Sequence, residues 1–357
     1  MLNDANKVSP LHKYYRYDRV GGVCGIEVEV EFLRLNRNPP DEVLAVWKAH
    51  NDGSLRHHGV EYTMFKPMTG HAKNKAVVDL CGFINAQPFV QGSSRTSVHT
   101  HINVQKRSPL HIWNAIVLYW ILEPVLMQHC GEERIGNPFC LRLLDALALV
   151  DTSCQDLLSD TPFKMFRGND DIRYAGLNLQ PLRSFGSLEF RGMRGEYEPR
   201  LINEWSDFLV KLVHSVASRW PHPAAILDEV YNSNREAFFQ KVMGDYYDSI
   251  GKPYFNKSVD DIEEGIEAIL PLAYFNDWEK WQAKMESNLV KNKDKGSNAP
   301  QPNRINFGGG NLAAAVQEMR LLDAAHAMPW RGVQAPVNFD DLDDRLIEPI
   351  PLNPIWR

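Results

Sequence analysis

GIEVEVEF, Gly25 to Phe32, alternates without a break between apolar and acidic residues. Side chains on a β-strand point to opposite faces in turn. Ile26, Val28, Val30 and Phe32 therefore share one face, and Glu27, Glu29 and Glu31 share the other. Successive glutamates on that face stand about 7 Å apart. Three carboxylates in a row repel one another unless cations lie among them or water screens them fully. One reading is the solvated face of a half-exposed strand. The other is a site that uses the charge.

Four further segments repeat the division. In GVEYTMF, Glu61 lies opposite Val60 and Tyr62. In SVHTHINV, His99, His101 and Asn103 lie opposite Val98, Thr100, Ile102 and Val104. In SLEFRGM, Glu189 and Arg191 lie opposite Leu188 and Phe190, and in AGLNLQP, Asn178 and Gln180 lie opposite Leu177 and Leu179. An ordinary solvated face would be filled with Lys, Thr, Ser and Gln. This one holds Glu, His, Asn and Arg, with no lysine at these positions. Carboxylates with one or two imidazoles suit Mg²⁺ or Mn²⁺ better than a thiolate-type zinc site. Arginine among them points to a phosphate or carboxylate, whose oxygens its planar fork binds bidentately. Metal and arginine on a broad sheet are the equipment of phosphoryl transfer, and a purely structural sheet is the competing reading.

The strands come mostly first and the helices mostly later, which favours α+β over βαβ repetition. An extended stretch near Val46, the turn Asn51-Asp52-Gly53-Ser54 and the alternation from Gly59 to Lys66 form an antiparallel hairpin. Residues 72–85 are helix-compatible. Ser108 and Pro109 have the N-cap and first-turn signature, opening a helix to about Cys130 that is apolar nearly all round and so buried. Tyr174 to Leu182 and Ser187 to Met193 are two more extended runs. Helical patterns follow from Pro199 to Trp220, about 223 to 243 and about 259 to 286. The expected fold is a curved, mainly antiparallel sheet of about five to six strands forming an active-site trough, backed by helices. Its expected parts are an N-terminal arm (1–20), a catalytic domain (21–286), a linker or lid rich in Asn, Lys, Gly and Pro (287–311), and a C-terminal extension (312–357).

With 357 residues, 44% hydrophobic and 24% charged, the chain has the composition of a folded globular protein. Its longest apolar run, Ala115 to Leu122, is far short of the ~20 residues that span a bilayer. No membrane partner is expected. A formal net charge of −6 opposes backbone-driven nucleic-acid binding. The five cysteines are widely spaced without a CxxC pair, which reads as reduced thiols and a cytoplasmic setting. No P-loop, dinucleotide-binding GxGxxG, HExxH or GxSxG motif is present. Gly308-Gly309-Gly310 reads as flexible linker before phosphate cradle. Arg134, in ERIGNPFC, is either a second phosphate-facing base or a surface ion pair.

Taken in order, GIEVEVE (Gly25 to Glu31), DGSLRHHGVEYT (Asp52 to Thr63), SVHTHINV (Ser97 to Val104), RYAGLNLQPL (Arg173 to Leu182) and SLEFR (Ser187 to Arg191) resemble the carboxylate–amine ligase superfamily of glutamine synthetase and γ-glutamylcysteine ligase. Within it the chain looks most like the amidoligase family of bacteria and their phages. The resemblance covers about residues 20 to 215 and implies a glutamine synthetase-like catalytic fold. It implies Glu27, Glu29, Glu61, His99 and Glu189 as metal ligands and Arg191 as a phosphate-binding base. It also implies that His101, Arg173 and Asn178 would serve ATP or substrate; Asn103, from its place on the polar face, and Arg134, as a phosphate-facing base, are candidates for the same role. Ser97 replaces the glycine usual before HxH, and Glu31 is an extra acid, a candidate base for the attacking ammonium.

The implied chemistry is ATP-dependent formation of an amide or isopeptide bond through an acyl phosphate, with Mg²⁺ or Mn²⁺ as cofactor. The implied partners are a carboxylate and an amine, from an amino acid, polyamine, peptide or protein, in the cytoplasm, that of the host if phage-encoded. Two alternatives stand beside it: a metal-dependent phosphotransferase resembling guanidino kinases, and a non-catalytic nucleotide- or metal-binding structural protein. Composition and spacing do not fix an oligomeric state.

Overall fold

A computed structural model describes residues 9–18, 20–31, 38–56, 59–88, 90, 92–166, 172–275 and 277–296. Phe32, residues 1–8 of the arm, residues 297–311 of the expected linker and the extension 312–357 lie outside them.

The fold is α+β. Six strands form a single antiparallel sheet: β1 (Cys24–Val30), β2 (Trp47–His50), β3 (Val60–Met64), β4 (Ser97–Asn103), β5 (Leu177–Asn178) and β6 (Ser187–Arg194). Their order across the sheet is β2-β3-β1-β4-β6-β5. The expected hairpin is β2–β3, with Trp47 opposite Met64 and His50 opposite Glu61. β1, first in the chain, lies inside the sheet between β3 and β4. Alternation decides which faces matter: Cys24, Ile26, Val28, Tyr62, Val98, Ile102, Leu188 and Phe190 are buried on the apolar side.

Eleven α-helices occur among the described residues: α1 (Asp41–Leu44), α2 (Gly70–Asn85), α3 (Pro109–Cys130), α4 (Ala148–Leu158), α5 (Pro181–Ser184), α6 (Pro199–Lys211), α7 (Pro223–Asn232), α8 (Arg235–Met243), α9 (Lys252–Phe255), α10 (Val259–Ala273) and α11 (Trp278–Gly296). The boundaries of α3 follow its local chemistry. Ser108 Oγ accepts from His111 N at 3.2 Å, Pro109 sets the first turn, and Gly131, with φ 123°, ends the helix. α3 is long and apolar enough to cross a membrane, yet 89% of its most apolar window is buried within the protein. Its Tyr119 ring meets Phe190 of β6 edge-on at 4.9 Å. Helix α2 backs the other half of the sheet, where Trp47 Nε1 donates to Ala76 O at 3.1 Å and Tyr62 meets Phe83.

Three sequence expectations change. The extended run from Tyr174 shrinks to two paired residues, because Pro181, with no N–H to donate, opens the short helix α5. Residues 287–296 continue helix α11 instead of starting a linker. The arm is docked along 9–18: Leu11 is buried, its N–H donates to Arg107 O at 2.7 Å, and Tyr15 and Tyr17 donate their hydroxyls to Pro162 O and Leu182 O.

Candidate active site

The ladders bring the polar residues of four strands together. Glu27 of β1 is opposite Thr63 of β3 on one side and His99 of β4 on the other. Glu29 is opposite Glu61, and His101 is opposite Glu189. Between Val98 and Thr100 the β4–β6 register shifts: Val98 pairs with Met193 and Thr100 with Phe190, so β6 carries one extra residue. Such a bulge re-aims side chains. It keeps Glu189 and Arg191 on the polar face while Gly192 turns toward α3, where a Cβ would stand 2.9 Å from Met127 Sδ.

Glu27 is the hub. Its Oε2 lies 3.2 Å from His99 Nδ1 and its Oε1 3.5 Å from His101 Nε2. Burial pulls its carboxyl up, but the imidazoles of His101 and His99 win and hold it well below the usual carboxylate range. Glu189 accepts from Asn178 Nδ2 at 2.7 Å and from Arg191 Nη1 at 2.5 Å. Burial again opposes, yet His101, Arg191 and His99 hold Glu189 below the usual value. His101 is raised against its own desolvation by Glu27 and Glu189. Glu61 goes the other way: burial, then the charges of Glu27, Glu29 and Asp52, push it up to about 8. Ser97 Oγ bridges Glu29 Oε2 at 2.5 Å and His99 Nε2 at 2.6 Å, so this one hydroxyl ties two candidate ligands together.

Three groups of donors lie within 4.8 Å of one another: Glu27, Glu61 and His99; Glu27, His101 and Glu189; and Glu29, Asp52 and Glu61. They contain all five expected metal ligands. They also contain Asp52, which reads in sequence as a turn residue and nothing more. Its Oδ1 accepts from Ser54 N and Ser54 Oγ at 2.7 and 2.8 Å, the local bonding that makes aspartate a turn former. The same residue lines the site.

Two cavities adjoin here and share Glu27, His101 and Phe185. The polar one, about 470 Å³, is lined by the carboxylates, Arg191, Arg173, Tyr174 and Asn178, and also by Arg95. The other, about 410 Å³, is largely apolar, with Met64, Phe65, Pro67 and Phe185 beside Asn103 and Gln105. Asp18 and Val20 of the arm line it as well.

Two expected site residues line neither cavity. Glu31 is fully buried, with Oε1 accepting from Arg56 N at 2.8 Å, and its burial outside both cavities takes it out of reach of an incoming ammonium. Arg134 is also fully buried and donates to Gly192 O, Arg191 O, Ser94 O and Thr96 O, so it is neither a surface ion pair nor a phosphate ligand. Compared with known proteins, the chain matches no family model and no curated protein.

Proposed function

We propose that the chain is an ATP-dependent carboxylate–amine ligase that forms an amide or isopeptide bond through an acyl phosphate. The observation that carries the reading is the position of Glu27, a member of two donor groups, between His99 and His101 and two strands away from the Glu189–Arg191 pair. The donors are carboxylate oxygens and imidazole nitrogens with no thiolate, which fits Mg²⁺ or Mn²⁺. Glu27, Glu29, Glu61, His99 and Glu189, with Asp52 joining them, would divide among them the metal ions that hold the ATP phosphates. The bound metal would offset the charge of the triphosphate and orient it.

In this reading the apolar cavity takes the nucleoside, between the exposed rings of Phe65 and Phe185. The polar cavity takes the phosphates and the acceptor carboxylate. Arg191 turns its fork toward the transferring phosphoryl group. A carboxylate oxygen of the acceptor bonds to the γ-phosphorus as the bond to the ADP oxygen breaks. The amine nitrogen then bonds to the acyl carbon, phosphate leaves with the bonding pair, and the amine's proton passes to a carboxylate lining the polar cavity. The substrates are an acid and an amine drawn from amino acids, polyamines, peptides or proteins. All five cysteines are free thiols, in keeping with a reducing compartment, and we assign the protein to the cytoplasm.

The test is phosphorus NMR of the protein with Mg²⁺ and ATP, with and without pooled amino acids and polyamines, followed by mass spectrometry. Amine-dependent release of ADP and phosphate, with a product of mass acid plus amine minus water, is expected. Failure to bind ATP with either Mg²⁺ or Mn²⁺ present overturns the reading.

A further inference from the structure

Arg134 sits in the 3₁₀ turn Glu132–Arg134 directly after α3, with a fully buried side chain. Taking a guanidinium out of water is expensive unless its donors are satisfied. Here Nη2 donates to Arg191 O at 2.9 Å and Nε to Gly192 O at 3.1 Å, both on the β6 bulge. Nη1 donates to Ser94 O and Thr96 O, both at 3.4 Å, in the loop that leads into β4. One planar group thus joins two backbone segments distant in sequence, and each carries an arginine of the polar cavity: Arg191 on the bulge and Arg95 in the loop.

The corner that follows repeats the joint. Asn137 Nδ2 donates to Ser94 O at 2.7 Å, and its Oδ1 accepts from Phe139 N at 2.9 Å. Phe139 O in turn accepts from Arg191 Nε at 3.3 Å. Arg95 Nη1 donates to Ser54 O at 3.1 Å, which reaches the turn bearing Asp52. Behind the bulge a Cβ on Gly192 would stand 2.9 Å from Met127 Sδ and 3.4 Å from Cys130 Sγ of α3. The bulge is held from both sides.

We propose that Arg134 is a positioning residue: its four carbonyl bonds fix the β6 bulge against the loop before β4 and so set where Arg191 and Arg95 present their guanidinium groups. A lysine in its place keeps the charge but cannot reach carbonyls on both segments with one fork. The turnover part of this inference rests on the ligase reading; the positional part does not.

Arginine-selective ¹⁵N labelling tests it on the full chain. The Nε–Hε signals of Arg191 and Arg95 are assigned by loss in Arg191→Lys and Arg95→Lys. In Arg134→Lys both signals are expected to shift, while those of Arg142 and Arg235, paired with carboxylates elsewhere, stay put. Mn²⁺ affinity measured by titration is expected to hold within about twofold, because the carboxylates remain. Turnover, once a substrate pair is in hand, falls on the order of 10²-fold, as for a catalytic group displaced by about 1 Å. A folded Arg134→Lys protein with both signals unmoved overturns the proposal. Should that variant not fold, Asn137→Ala decides: a displaced Arg95 signal supports the clamp, and an unmoved one overturns it. Absence of ATP binding in the unaltered protein would sink the ligase reading and leave the NMR result standing.

Discussion

Glu29 and Glu61 face each other directly across the β1–β3 ladder, two carboxylates at one cross-strand position. Glu29 is almost fully buried, and Asp52 belongs to the same donor group. With Glu61 pushed up to about 8, the two facing carboxylates are both ionised only above that pH, and there like charges at such a position oppose folding by about 0.2–1 kcal/mol. The pair is a stability liability that a divalent cation would turn into an asset. Glu61→Gln removes the repulsion and one ligand together. Chemical unfolding in EDTA at pH 9, where Glu61 is ionised, is expected to show the variant more stable than the parent by about that amount, and the rise in Tm on adding Mn²⁺ is expected to shrink. A variant less stable than the parent in EDTA would mean that the two carboxylates are not in repulsion.

Arg191 touches Glu189, the carbonyl of Phe139 and the face of Tyr174 within one cavity. Lysine would retain charge and lose the fork. In Arg191→Lys, ATP-dependent phosphoryl transfer is expected to fall by about 10²–10³-fold, the effect of deleting one preorganised donor to a transition state. Mn²⁺ titration of the same sample should change little. Unaltered turnover would remove Arg191 from the phosphoryl site.

Gly22 tests how the floor of the apolar cavity is built. A Cβ there would lie 1.9 Å from Pro67 O and 2.4 Å from Met68 N, both rigid backbone atoms. That close approach lets Met68 N donate to Cys24 O at 2.7 Å and lets Asn103 Nδ2 donate to Gly22 O at 2.9 Å. Gly25, three residues on and inside β1, is a control, since its Cβ would meet His101 Cβ at an ordinary 3.7 Å. Gly22→Ala is expected to lose about 1–3 kcal/mol by urea unfolding, and Gly25→Ala much less. Equal losses would show that the contact to Pro67 relaxes.

The sheet was legible because each strand carries its face assignment in alternation. That alone put Glu27, His99 and Glu189 on one side, and the ladders then made them neighbours. What alternation cannot supply is order across the sheet. Nothing local to GIEVEVE says that β1 lies between β3 and β4, and only that order lets Glu27 reach two histidines. Asp52 was hidden because its turn chemistry fully accounts for its presence. Ser97 looked like a departure from a pattern until its hydroxyl was seen to join Glu29 to His99. Glu31 and Arg134 were misread for one reason: sequence shows that a residue is charged, and not whether it is buried away from the cavities.

Glu123 gives the fold a pH dependence separate from the site. It lies within α3, fully buried; Oε2 accepts from Leu143 N at 2.6 Å and Oε1 has no hydrogen-bond partner. Burial pushes its carboxyl up to about 8, against an ordinary value of 4.5. The folded chain therefore holds this proton between pH 4.5 and about 8 while the unfolded chain releases it. Its contribution to stability is complete below 4.5 and is lost as pH rises through 8. His129 and His214, lowered by burial to about 4, act with the opposite sign and only on the acid side, so they do not mask the effect above neutrality. Glu123→Gln, a neutral isostere, is expected to match the parent near pH 5 and to exceed it at pH 9 in urea midpoint. Parallel curves for the two proteins from pH 6 to 9 would show that Glu123 is ionised in the fold.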